Sequence, residues 1–188
     1  MTFSLDAWIA DATPEGGAGA LGPSDRRADL AAALKGLTPE GLVAEGHAAD
    51  ADAATALLAG LWLLSGDLDR SHHWSQSLET PDGSYWHGIM HRREGDFGNA
   101  KYWFRRAGRH PIHGPLAEAA RTILVEAGPH AAGTLGPDLA RLGEMSAWDA
   151  AAFVDAVERA VRDGTGADAC RAIAAAEWRL LMEHARSR

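Results

Sequence analysis

The dipeptide Gly-Asp occurs at Gly66-Asp67 and returns 29 residues later at Gly95-Asp96. The first pair lies within ALLAGLWLLSGDLDRSHHWSQSLE (56–79), the second within SYWHGIMHRREGDFGNAKYWFRRAGRHP (84–111). Each unit runs helix-forming stretch, Gly-Asp, a Leu or aromatic residue, then a second helix-forming stretch. Gly-Asp between two such stretches is turn chemistry. Two units in tandem therefore constrain the middle of the chain to a pair of helical hairpins, because an internal period of this size marks a repeated supersecondary unit.

The remaining segments point the same way. Alanine is abundant, β-branched residues are few, and glycines fall mostly between segments, which favours helix over sheet. Ser24 is placed to cap a helix over 25–35, and Thr38-Pro39 opens one over 39–48. Asp50 can cap ADAATALLAGLWLLSG, whose Leu57, Leu58, Leu61, Trp62 and Leu64 make a wide apolar face. Pro115, Ser146 and Thr165 mark the starts of three later helices. Residues 12–24 and 128–138, rich in Gly, Pro and Ala, read as loops. With 188 residues and 46% hydrophobic content the chain can bury one core. The expectation is a single all-α domain over 1–188: a helical bundle or short array, with hairpins at about 50–111 and further helices at about 115–186.

Gly88, Gly95, Phe97, Ala100, Phe104, Ala107 and Pro111 in the second unit resemble the tetratricopeptide repeat. Ala59, Gly66, Leu68 and Ser71 in the first unit match it less closely. The resemblance covers residues 53–111 and implies stacked hairpins of the kind that form recognition surfaces. The spacing is shorter than the usual 34 residues of that repeat, so a regular superhelical array is not implied. A second resemblance rests on GSYWHGIMHRREGDFGNAKYWFRR (83–106) with AEWRLL (176–181). It is to a group of uncharacterised bacterial and fungal proteins, and it implies no activity.

Several classes are disfavoured. One cysteine, Cys170, excludes a disulfide framework and a cysteine-only zinc cluster. The opening residues have no basic n-region or sustained apolar run, and ALLAGLWLL is too short to span a bilayer. A soluble cytoplasmic protein, with no membrane partner, is expected. Charge is unevenly spread: residues 1–80 hold four Lys/Arg against twelve Asp/Glu, while 91–109 hold six against two. An acidic chain with one basic hairpin repels nucleic acid as a whole but can host one small anion.

The candidate site centres on residues 72–110. His87, His91 and Glu94 fall at i, i+4 and i+7, so they share a helix face and could hold a divalent metal, with His72 or His73 from the preceding hairpin nearby. The competing reading is that each imidazole is buried beside its own protein partner. Arg92 with Arg105 or Arg106 could grip a carboxylate or phosphate, although a solvated, internally paired face is the usual account of such charges. Trp74, Tyr85 and Trp86 could wall a pocket. His110 and His113 read as exposed loop residues, Asp67 as turn chemistry with Asp69 left open, and Cys170, Trp148 and Trp178 as core.

Two functions fit. The first is a binding protein, its pocket formed by His72, His73, Trp74, Tyr85, Trp86, His87, His91, Arg92, Arg105 and Arg106, taking a small anionic molecule or peptide. The second is a metal-assisted or His-dependent hydrolase or lyase using the same residues.

Overall fold

The computed structural model describes residues 4–10, 12–127 and 132–188, so the start of the expected 128–138 loop and the first three residues of the chain lie outside the described residues. Among the described residues there are eleven α-helices and no strand, in keeping with the all-α expectation. They are α1 (Leu5–Ala10), α2 (Ala28–Leu34), α3 (Pro39–Ala44), α4 (Ala51–Leu64), α5 (Leu68–Gln76) and α6 (Pro81–Glu94). Then follow α7 (Phe97–Ala107), α8 (His113–Glu126), α9 (Ala132–Glu144), α10 (Ala150–Asp163) and α11 (Ala167–Ser187). No helix among the described residues is long and apolar enough to cross a membrane.

Helix starts follow capping chemistry. Thr38, Asp50 and Thr80 accept the backbone N–H groups of Gly41, Ala53 and Gly83, and proline opens α3 and α6. These side chains satisfy amides that have no partner inside the helix. The two Gly-Asp pairs occupy equivalent turns. Gly66 (φ 79°) and Gly95 (φ 90°) are left-handed, a conformation that costs most other residues energy. Asp67 and Asp96 then cap α5 and α7 by accepting from the Arg70 and Asn99 amides.

The hairpins α4–α5 and α6–α7 lie side by side, with α5 packed against α6. Helix α11 runs along α4, α8 and a short 3-10 turn at Gly17–Gly19. Leu57, Leu58, Leu61, Trp86, Phe153 and Trp178 are buried at the centre, and Trp178 Nε1 donates to the Gly60 carbonyl at 2.8 Å. Cys170 is part of this core, and burial pushes its thiol up to about 12.

Four local expectations need correction. Helix α2 begins at Ala28, and the Ser24 hydroxyl instead accepts from Arg93 at 2.9 Å. Arg93 also donates to the carbonyls of Leu63 (2.7 Å) and Gly17 (3.0 Å), strapping the N-terminal segment to the hairpins. Helix α10 is capped by Asp149, not Ser146, because Asp149 is the side chain that reaches the Ala152 amide. Helix α8 starts at His113, before Pro115. Residues 132–144 form α9 in place of a loop, broken at Gly136 (φ 76°) immediately before Pro137. Gly136 is non-helical (φ 76°, ψ 165°), so two helical stretches meet there, with Pro137 opening the second.

Candidate functional site: a cluster of imidazoles

Helix α6 rises one turn between His87 and His91, so the two rings stack with centroids 4.8 Å apart. The packing of α5 on α6 adds His72, whose ring meets His87 edge-on at 4.6 Å and His91 at 5.6 Å. One ligand nitrogen from each of His72, His87 and His91 lies within 4.8 Å of the other two. From α7, the Trp103 indole stacks on His87 at 3.9 Å with the planes 11° apart. His87 and His91 are buried and His72 is half-buried.

The surroundings assign a tautomer to His91. Its Nδ1–H donates to Glu94 Oε2 at 3.0 Å, while Asn99 Nδ2 donates to its Nε2 at 3.1 Å. That arrangement suits a proton on Nδ1, facing the Glu94 carboxylate. His87 is different: its buried Nδ1 has no hydrogen-bond partner in the protein. Burial, then the neighbouring His72 and His91, push the His87 imidazole down from 6.5 to about 4. Burial and His91 lower His72 as well. These two rings are therefore held in the neutral form that binds metals.

The structure separates the predicted site residues into three groups. His72, His87 and His91 come together. Glu94, expected as a possible ligand, holds the far side of His91 instead. Arg92 leaves the site: one residue beyond His91 it projects inward, pairs with Glu177 of α11 at 2.5 Å, and lies over the Phe153 ring at 4.6 Å.

Tyr85 and Trp86 are core residues. The Tyr85 hydroxyl donates to Glu177 at 3.0 Å, and burial and Glu177 raise its phenol well above 10.0. Trp74 is partly buried against the core, with His73 exposed and edge-on to it at 5.2 Å. Arg105 and Arg106 are exposed and do not converge with the buried Arg92. Arg106 lies over Trp103 at 5.3 Å.

Sequence reasoning also missed a second cluster. His110, expected on an exposed loop, is buried, and its Nε2 lies 2.7 Å from Asp82 Oδ1. Two cavities, of about 740 and 550 Å³, lie away from both clusters, beside the α10–α11 turn and between α8 and α11. Compared with protein-family models, curated proteins and solved structures, the chain matches none.

Proposed function

We propose that the protein binds a divalent transition metal through His72, His87 and His91 and presents it to a small anionic substrate. The observation that carries this reading is the orphaned Nδ1 of buried His87 within a set of three converging imidazoles. A buried nitrogen without a partner is unfavourable unless a ligand completes it. Three imidazoles with an open fourth position are a donor set suited to zinc and its neighbours. Tetrahedral coordination at about 2.0–2.1 Å places ligands about 3.4 Å apart, and His72, the half-buried member, can close the remaining distance.

His91 is already prepared. Glu94 holds Nδ1–H, so Nε2 is the free donor once Asn99 turns aside, and a carboxylate behind a ligating imidazole fixes its orientation. Bound metal supplies Lewis acidity at its open position. Trp103 shields one face of His87, and Arg106 above that indole keeps a positive charge near the site. A carboxylate or phosphate group on the substrate fits that field. Binding of an anion by Arg92 is not supported, since Glu177 already neutralises it inside the core.

The test is titration of tag-free protein with Co²⁺ and Zn²⁺. Replacing His87 and His91 together with Gln should remove one equivalent of bound metal while the helical circular dichroism spectrum is unchanged. Identical stoichiometry in parent and variant would discard the proposal.

A further inference from the structure

Asp82, His110 and His184 come from three distant parts of the chain: the first turn of α6, the segment before α8, and the last turns of α11. Their ligand atoms nevertheless lie within 4.8 Å of one another. Asp82 and His110 are almost wholly buried, at 4% and 5% exposure, and the His184 side chain is 21% exposed.

We propose that these three residues hold a second divalent cation, independent of the three-imidazole site. The carboxylate is organised for it. Asp82 Oδ2 accepts from Arg188 at 2.6 Å, which leaves Oδ1 as the oxygen facing both imidazoles. His184 Nε2 stands 3.4 Å from Oδ1. That is beyond a good hydrogen bond. It is, however, about the separation of two ligands on one tetrahedral ion bound at roughly 2.0–2.2 Å. His110 Nε2, at 2.7 Å from Oδ1, needs to move outward by about 0.7 Å to share such an ion.

Two imidazoles and one carboxylate make a borderline donor set that suits Zn²⁺ or Fe²⁺ better than Mg²⁺ or Ca²⁺, which prefer oxygen. Arg188 then acts behind the ligand, fixing the carboxylate through its other oxygen as outer partners of metal ligands do. Binding moves the His110 proton from Nε2 to Nδ1 and ends the long 3.4 Å contact that Nδ1 receives from the Ile112 amide.

The two sites can be told apart by stoichiometry. The full chain, tag-free and titrated with Co²⁺ and Zn²⁺ alone, should bind two equivalents. His87→Gln/His91→Gln should bind one, and adding His184→Gln should remove it. His184→Gln by itself should bind one equivalent and keep its fold, because that side chain lies at the edge of the core. Asp82→Asn, a more buried change, serves as a second variant, with circular dichroism confirming its helix content.

A His184→Gln protein that still binds two equivalents overturns the proposal. So does a parent that binds a single equivalent lost on changing His87 and His91, a result that leaves the three-imidazole site standing. A single equivalent that survives that double change and disappears with His184→Gln supports this site and removes the other.

Discussion

Helix α6 carries buried polar side chains on two faces, and they are built oppositely. On the inward face Tyr85 and Arg92 converge on Glu177, whose carboxylate pairs with the guanidinium and accepts a hydrogen bond from the phenol. On the outer face His87 and His91 meet His72, and no carboxylate lies inside that set. The first face supplies its own counter-charge, as buried ions require. The second has no counter-charge among its imidazoles, and each face leaves one nitrogen unmatched, Arg92 Nη1 on the first and His87 Nδ1 on the second. Burial and an unpartnered nitrogen are therefore common to both faces; an opposing charge, present on the first and lacking among the three imidazoles, is what separates them. The Arg92 face is a tie between α6 and α11, and the histidine face is where we propose that a metal binds.

The sharpest way to break this comparison is to attack the ion-paired face. Glu177→Gln removes the charge and leaves Arg92 buried without its counterion, which should cost about 3–5 kcal/mol. For a chain of this size each kcal/mol lowers the melting temperature by about 2–4 °C, so the loss should be large in thermal unfolding. Metal stoichiometry of the folded variant should not change. If Glu177→Gln melts like the parent, the inward face is not the structural tie described.

The next effect belongs to the other face. Zn²⁺ at 100 times its dissociation constant should stabilise the parent by about 2.7 kcal/mol per site. In His87→Gln/His91→Gln the share due to the three-imidazole site should vanish, while the metal-free variant melts close to the metal-free parent. A large melting loss in that variant without metal would show that the histidines belong with Arg92 as structure. Smaller again is Glu94→Gln, which keeps the fold but weakens the support behind His91. It should lower metal affinity by about 10–100-fold, readable by competition with a chelator.

Parts of this picture were legible in the sequence and parts were not, for physical reasons. The i, i+4 spacing of His87 and His91 is a local property of a helix, and the Gly-Asp turns locate the hairpin that brings His72 over them. Glu177 lies 85 residues from Arg92, so nothing local showed that the arginine was already neutralised, and its charge alone suggested a ligand. His110 was misread for the same reason: Pro111 beside it signals a loop, but its burial depends on Asp82, 28 residues earlier. Caps were readable where one side chain had one nearby amide, as at Thr38, Asp50 and Thr80. They failed at Ser24, whose hydroxyl serves a distant arginine. In α9 the composition signal of Gly and Pro was real, but it marks a break at Gly136 between two helical stretches and not a loop.

The smallest effect is the dependence of metal-free stability on pH, and it reports directly on whether the histidine face is uncharged. His87 has an imidazole lowered from 6.5 to about 4 in the folded protein. Between those values the unfolded chain binds more protons than the folded one, so stability rises with pH there and falls on acidification. The contribution is complete above about 6.5 and is lost as pH drops towards 4. One proton gives a slope of at most about 1.36 kcal/mol per pH unit, and less here because His72 leaves one edge of the cluster open to water. His113 and His184 are lowered in the same direction and add to the total slope, so the parent curve alone is not decisive. The difference between parent and His87→Gln isolates the site: the parent should lose more stability than the variant between pH 6.5 and 4, and the two should run parallel above 6.5. Tyr85→Phe is the control from the opposite face, because its phenol, raised well above 10.0, keeps its proton across this whole range. It should shift the curve down without changing its slope. Parallel curves for parent and His87→Gln throughout would mean that His87 is not held neutral against its bulk tendency, and the difference between the two faces of α6 would lose its electrostatic basis.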